Sequence, residues 1–286
     1  MKQGKRLLAQ FGFFLLQNPF LKNFITGKIY QGNIKFLCSP GLNCYSCPAA
    51  AVSCPIGATQ FFLAGVKSHI SLYITGFLMI TGVLFGRFIC SYVCPMGLLQ
   101  DLLYRIKTKK IILRLRFLRY IKYIVLLVFV VLLPVIIKDD LIGMGQPWFC
   151  KFICPSGTIF GAVPLLLAND FLRKLTGGLF TFKIIAAAGI ACASVFVYRF
   201  FCRVLCPLGA IYALFNKISI LHMQCDREKC VSCGDCSREC HIKITPAVQP
   251  NALECVRCGK CVNSCKNKAL AFKIRRTTFK NLKKTE

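Results

Sequence analysis

Four copies of a cysteine–proline–glycine motif, each beside a long apolar run, constrain this chain most. CSYVCPMG stands at 90–97, CKFICPSG at 150–157 and CRVLCPLG at 202–209, and a shorter copy, SCPIG, stands at 53–57. Two cysteines four residues apart lie on one face of a helical turn. The proline disfavours helical geometry at the cysteine before it, and the glycine permits backbone angles that other residues resist. The pattern therefore predicts a cysteine pair, a turn and a new short helix, repeated along the chain.

The apolar runs are long enough to cross a membrane. A bilayer core is about 30 Å thick, so a spanning helix needs about 20 mostly apolar residues. Three runs meet this requirement: 70–88, 120–137 and 182–201. A fourth run, 7–25, is interrupted by Pro19 and Lys22, so it could span, kink or lie in the interface. It lacks the small-residue cleavage site of a signal peptide. With 56% apolar residues and a mean hydropathy of +0.59, the sequence predicts a mainly α, polytopic membrane helix bundle.

The basic residues predict the orientation of this bundle. Residues 101–122 contain one acid and eight basic residues: Arg105, Lys107, Lys109, Lys110, Arg114, Arg116, Arg119 and Lys122. The positive-inside rule places this segment in the cytoplasm, and places 138–174, with four basic residues and three acids, outside. By alternation the chain after Lys217 is cytoplasmic. The net charge of +28 is therefore interpreted as membrane topology rather than nucleic-acid binding, and the predicted localisation is the inner membrane of a prokaryote.

The twenty cysteines recur at short spacings that suit metal clusters better than disulfides. A cubane cluster needs four thiolates, so two facing motifs supply a full set. At the cytoplasmic helix ends these are Cys90, Cys94, Cys202 and Cys206, here named the inner site. Four structural thiols at helix ends are the alternative.

A second set of cysteines falls toward the outer side, and its ligands are less determined. The candidates for this outer site are Cys38, Cys44, Cys47, Cys54, Cys150 and Cys154. Cys150 and Cys154 are favoured, with Cys47 and Cys54 as first choice because both precede proline. Cys38 and Cys44 are then left to form a disulfide, to bind a second metal or to substitute as ligands. Residues 38 to about 115 and about 145 to 220 could be two halves of inverted topology.

The C-terminal part carries two C-x2-C-x2-C-x3-C runs, the spacing of bacterial two-cluster ferredoxins. In that arrangement the fourth cysteine of each run binds the other cluster. The first predicted set is Cys230, Cys233, Cys236 and Cys265, and the second is Cys255, Cys258, Cys261 and Cys240. His241 and Lys266 replace the usual proline, and zinc is the alternative metal. The predicted domains are a transmembrane domain (1–221), a small α+β ferredoxin domain (222–273) and a basic tail (274–286).

These motifs resemble those of the NapH-, NosR- and CcoG-type membrane polyferredoxins, through the C-x3-C-P motifs at 90–95 and 202–207 and the double run at 230–265. The resemblance covers about residues 70 to 270. It implies 4Fe-4S clusters, both C-x3-C-P motifs on the cytoplasmic side, and electron transfer between membrane or cytoplasmic donors and redox partner proteins. Cys150, Cys154 and the stretch 38–57 depart from that pattern and suggest an extra cluster on the far side.

The sequence therefore predicts an electron-transfer protein rather than a substrate-converting enzyme, since no catalytic base, nucleophile or nucleotide-binding fingerprint is visible. We expect four 4Fe-4S clusters that pass electrons from a cytoplasmic donor through the ferredoxin domain and the inner site to the outer site. A flavoprotein or a cytochrome is the expected acceptor. The alternatives are a thiol, metal-handling or redox-sensing membrane protein, and a cluster-bearing accessory subunit. Cys192 is interpreted as a packing residue and Cys225 as a spare thiol. His69 and His222 flank the membrane, and a bis-histidine haem is disfavoured because neither has a paired histidine at helical spacing.

Overall fold

The computed structural model describes residues 3–111, 116–139 and 143–275. Arg114 and, from residue 276 on, the predicted basic tail lie outside these ranges. The helices are α1 (Gln3–Gln17), α2 (Asn23–Thr26), α3 (Pro55–Leu63), α4 (Leu72–Phe85), α5 (Phe88–Tyr92), α6 (Pro95–Leu103), α7 (Phe117–Ile136), α8 (Gly157–Ala168), α9 (Asp170–Lys174), α10 (Gly178–Phe196), α11 (Phe200–Val204), α12 (Pro207–Phe215), α13 (Asp235–Arg238) and α14 (Lys260–Ser264). Strands β1 (Leu221–Cys225) and β2 (Leu270–Ile274) form one antiparallel pair. The described chain is thus mainly helical with a small two-stranded sheet.

The cysteine–proline motifs start new helices, as the sequence predicts. Cys94 has extended backbone angles (φ −75°, ψ 121°) and Pro95 is the first residue of α6. Cys54 and Cys206 precede α3 and α12 in the same way. Proline fits the first helical position because its missing N–H would have no partner there. Each second cysteine therefore stands where one helix stops and the next begins.

Within the described ranges two helices are long and apolar enough to cross a membrane, α7 and α10. Their apolar windows are only 22% and 11% buried, whereas a core helix of a soluble protein would be mostly covered. The predicted run 70–88 differs, because α4 ends at Phe85 and Gly86 has φ +52°. Its 14 residues reach about 21 Å at 1.5 Å per residue, less than the hydrocarbon thickness.

The N-terminal helix α1 has its polar side inward. Arg6, Gln10 and Gln17 are buried, whereas Leu8 and Leu16 are more than 70% exposed. A helix in water would show the reverse pattern. The helix ends at Gln17, before the proline at position 19, so the run 7–25 does not form one continuous helix.

The two cysteine runs of the ferredoxin domain share one backbone conformation. Positive φ angles occur at Ser232 and Gly234 in the first run and, 25 residues later, at Arg257 and Gly259 in the second. Strands β1 and β2 bring the two ends of this domain together, with Cys225 opposite Leu270. The domain is therefore an internal repeat closed by a sheet.

Candidate iron–sulfur sites

The four cysteines of the inner site converge in the structure. Helices α5 and α11 each carry the first cysteine of a motif, and the second cysteines precede α6 and α12. All four are buried. The thiol of Cys206 interacts electrostatically with the other three thiols of the site. Four buried soft donors around one point have the chemistry that an iron–sulfur cluster requires.

Two buried arginines fix the two halves of the inner site to each other. Arg87 donates to the carbonyl of Cys202 at 3.1 Å, and Arg199 donates to the carbonyl of Cys90 at 2.7 Å. Each arginine lies three residues before the cysteine of its own motif and contacts the first cysteine of the other motif. The sequences RFIC and RFFC carry this signal, which the sequence analysis did not use.

Each of these arginines forms an ion pair with a carboxylate. Asp101 forms a two-pronged ion pair with Arg199, at 2.9 and 2.6 Å, and also accepts from Arg6 at 3.0 Å. Glu254 accepts from Arg87 at 3.3 Å and from Lys122 at 2.6 Å. Because these charges are buried, removing one partner would leave the others without compensation.

A glutamine side chain contacts the sulfur of the inner site. Gln100 donates through Nε2 to Cys202 Sγ at 3.0 Å, and its Oε1 accepts the backbone N–H of Phe201 at 3.0 Å. Gln100 is fully buried. Hydrogen bonds to ligand sulfurs tune cluster potentials, so Gln100 is a functional residue that the sequence analysis missed.

The glycines of the two inner motifs serve close approach rather than special backbone angles, which corrects the expectation from sequence. The φ of Gly97 is not positive, but a Cβ there would lie 2.5 Å from the carbonyl oxygen of Cys90. At Gly209 the carbonyl oxygen of Cys202 would be 2.9 Å away. Glycine therefore allows the first turns of α6 and α12 to pack closely against the backbone of Cys90 and Cys202.

The outer group differs from the first choice of ligands. Cys150 interacts electrostatically with Cys154, Cys54 and Cys44, so these four thiols converge. Cys47 instead faces Asn18 Oδ1 at 3.7 Å.

Cys38 forms an isolated β-bridge with Ser53, the residue before Cys54. The described ranges include all twenty cysteines and contain no disulfide. Cys44 rather than Cys47 thus interacts with Cys54 in this group, and ligation by either cysteine stays a prediction.

The outer group is built like the inner one. Gln60 donates to Cys150 Sγ at 3.2 Å and accepts the N–H of Phe149 at 3.0 Å. These contacts repeat those of Gln100 with Cys202 and Phe201. Both glutamines stand six residues after a motif cysteine, in CPIGATQ and CPMGLLQ. The repeated C-P-x-G-x-x-Q pattern is the signal in the sequence that marks both glutamines.

The inner and outer groups adjoin, although the sequence predicts them at opposite faces. The N–H of Leu42 points at Cys94 Sγ at 3.4 Å, and its carbonyl accepts from Ser156 Oγ at 3.3 Å. Ser156 is two residues from Cys154, and Leu42 is two residues from Cys44. One residue therefore joins the surroundings of both sites.

The ferredoxin domain gathers its cysteines into two cavities. One is lined by Cys230, Cys233, Cys236 and Cys265, together with Cys225. The other is lined by Cys240, Cys255, Cys258 and Cys261. These are the two sets that the spacing predicts, with the fourth cysteines exchanged. Ligation itself stays a prediction. Within the described ranges, no group of three or more His, Cys, Asp or Glu side chains is arranged to hold a metal ion.

The two cavities differ in exposure. Val231 in the first run is 68% exposed, whereas its counterpart Val256 in the second run is fully buried. Burial raises the pKa of the Cys255 thiol to about 11, so metal binding there would release a proton. Burial and the neighbouring Lys260 lower the pKa of His241 to about 4, so this imidazole is neutral at pH 7.

The second run packs directly on the inner site. Ser91, next to Cys90, donates through its hydroxyl to the carbonyl of Val256, which is next to Cys255. Asn216 donates to the carbonyl of Cys255 at 3.0 Å. A single hydrogen bond therefore connects the residues beside these two cysteines.

Comparison with known proteins agrees with this chemistry. The family described as a 4Fe-4S binding domain matches residues 68–114 and 179–222. The first segment contains Cys90 and Cys94, and the second contains Cys202 and Cys206. The match supports 4Fe-4S clusters as the cofactors of this chain.

Similar proteins include the putative electron transport protein YccM of Escherichia coli, 26% identical over 64% of this chain and 48% of its own length. The methylamine utilization ferredoxin-type protein MauN of Methylorubrum extorquens is 28% identical over 65% of this chain and 58% of its own. An uncharacterized protein of Methanocaldococcus jannaschii is 26% identical over 76% of both chains. No solved structure matches. The chain is thus similar to 4Fe-4S ferredoxin-like proteins, and an iron–sulfur electron-transfer role is supported.

Proposed function

We propose that this protein conducts electrons across the cytoplasmic membrane through four 4Fe-4S clusters. Electrons enter from a cytoplasmic redox protein at the first ferredoxin site, pass to the second and to the inner site, and leave from the outer site. The acceptor is a flavoprotein or a cytochrome at the outer face. When bound, the clusters supply one-electron redox chemistry, and the chain supplies ligands, spacing and hydrogen bonds.

The observation that carries this proposal is the unbroken series of cysteine groups. The exposed first cavity adjoins the second, the second contacts the inner site through Ser91 and Val256, and Leu42 joins the inner and outer groups. Electron tunnelling falls steeply with distance, so a conductor needs its centres in such a row. A protein that uses a single cluster locally would have no need of this arrangement.

The surface supports placement in a membrane. Helices α7 and α10 present mostly exposed apolar residues, and α1 hides its polar side chains while it exposes leucines. A chain in lipid has no reason to bury its apolar surface, because lipid tails are equally apolar. The basic segment 101–122 favours the cytoplasm for the side that carries the ferredoxin domain.

The alternative of thiol exchange or metal handling at the outer face has less support. It requires accessible thiols that belong to no cluster, and the two candidates are Cys38 and Cys47. Cys38 is 7% exposed and Cys47 is 1% exposed. Neither thiol is placed to meet a soluble partner.

Iron and acid-labile sulfide per chain, measured anaerobically, test the proposal. We expect about sixteen irons in the wild type and about twelve after C150S with C154S, since each cluster holds four. C192S is the matched control, because Cys192 is an exposed cysteine of α10, and it should leave the iron content unchanged. About twelve irons in all three proteins would overturn the transmembrane route.

Vesicles test the route itself. The protein is reconstituted with the ferredoxin domain outward around trapped cytochrome c, and dithionite is added outside. We expect the wild type and C192S to reduce the trapped cytochrome, whereas C150S with C154S does not. Equal reduction in all three proteins would contradict conduction through the outer site.

A further inference from the structure

The segment 40–44, here named the linking segment, is held between the inner and outer sites by its own backbone. The N–H of Leu42 donates to Cys94 Sγ at 3.4 Å, and the carbonyl of Leu42 accepts from Ser156 Oγ at 3.3 Å. Leu42 is 2% exposed. The segment ends at Cys44, whose thiol interacts with those of Cys54 and Cys150. The segment thus reaches one ligand candidate of each site, through Leu42 and through Cys44.

The sequence of the linking segment suits this close approach. A Cβ on Gly41 would lie 2.9 Å from the Cα of Cys94, so a larger residue would push the segment away from the inner site. Glycine allows the backbone to approach at this point.

Tyr212 holds the linking segment from the other side. Its hydroxyl donates to the carbonyl of Pro40 at 2.9 Å and lies 3.3 Å from Thr81 Oγ1. The tyrosine is fully buried, and it interacts electrostatically with Cys90 of the inner site and Cys54 of the outer group. Tyr212 therefore stands between the two sites and contacts the backbone that joins them.

From this geometry we infer that the linking segment is the electron-transfer bridge between the inner and outer sites, and that Tyr212 and Ser156 are its positioning residues. The inference rests on the proposed function. One electron leaves the inner site as one enters the outer site, and no bond forms or breaks. Coupling through covalent and hydrogen bonds decays more slowly than coupling through space, so the Leu42 peptide carries the transfer.

The test compares Y212F and S156A, each of which removes one hydroxyl and its hydrogen bond to the segment. S194A is the matched control, since Ser194 is also buried but bonds only the carbonyl of Ile190 within α10. Amide hydrogen exchange of the linking segment is measured first. We expect about fivefold faster exchange in Y212F and in S156A, the equivalent of about 1 kcal/mol for one hydrogen bond, and no change in S194A.

The second measurement is the rate at which the vesicle-trapped cytochrome is reduced, at unchanged iron content. We expect this rate to fall in Y212F and S156A, to fall further in the double variant, and to stay at the wild-type value in S194A. Faster exchange with an unchanged rate would overturn the bridge and leave the conduit intact. Unchanged exchange in both variants would overturn the positioning roles. A wild type that reduces no trapped cytochrome would overturn the conduit together with the bridge.

Discussion

The hydrogen bond from Gln100 to Cys202 offers the sharpest test of how this chain sets a cluster potential. Its N···S distance is 3.0 Å and the glutamine is fully buried. A cluster gains negative charge on reduction, so an N–H donor at its sulfur stabilises the reduced form more than the oxidised form. Replacing Gln100 by methionine, which is of similar size and has no donor, should therefore lower the potential of the inner site.

The size of the shift follows from the energy of the bond. A hydrogen bond of this kind contributes about 1 to 1.5 kcal/mol. The potential of a one-electron couple moves about 59 mV for each tenfold change in equilibrium. We therefore expect the potential of the inner site to become more negative by about 40 to 60 mV. Q100M also removes the acceptor of the Phe201 N–H. Q100E keeps an oxygen that accepts the Phe201 N–H, and its negative charge should also lower the potential of the inner site.

The assay is a redox titration followed by electron paramagnetic resonance, with iron counted in each variant. Q60M is the matched control, because Gln60 makes the equivalent contact with Cys150, and it should shift only the outer signal. Two results would refute the reasoning. One is an unchanged inner potential at full iron content, and the other is the same signal shifting in Q60M and Q100M.

Three further predictions follow from the packing. C44S should lose about four irons and C47S none, because Cys44 interacts with Cys150 and Cys54 whereas Cys47 faces Asn18; equal losses would contradict the assignment. G97A should destabilise the protein by about 1–3 kcal/mol in thermal unfolding, because its Cβ would strike a carbonyl 2.5 Å away. G189A is the control, because a Cβ at Gly189 would have open space around it. Equal melting temperatures of G97A and G189A would refute the clash. D101N should lower the free energy of unfolding by about 3–5 kcal/mol, because it weakens the pairing of two buried arginines. A melting temperature equal to that of the wild type would count against this role of Asp101.

The sequence predicts the ligand sets where spacing is local. The two ferredoxin runs have fixed spacing, and the structure lines each cavity with the predicted set. The inner cysteines converge because two copies of one motif face each other. The outer group could not be resolved in this way, since Cys44 lies ten residues before Cys54 and no regular spacing singles it out. Its position is set by tertiary contacts around Leu42.

Hydropathy was a weaker guide to the helices. Runs 120–137 and 182–201 correspond to the spanning-length helices α7 and α10. Run 70–88 is apolar throughout, but Gly86 adopts a positive φ and ends α4 at Phe85. The reason lies in the site, because Arg87 must leave the helix direction to reach the carbonyl of Cys202. A hydropathy window cannot detect a helix that stops so that a buried arginine can cross to another motif.

The residue six positions after the cysteine that precedes proline distinguishes the two motifs of each pair. It is glutamine after Cys54 and Cys94, and it is aromatic after Cys154 and Cys206, namely Phe160 and Tyr212. In both sites a glutamine motif faces an aromatic motif, and the glutamine donates to the first cysteine of its partner. The two sites are therefore copies of one arrangement, placed close enough for Leu42 to join them.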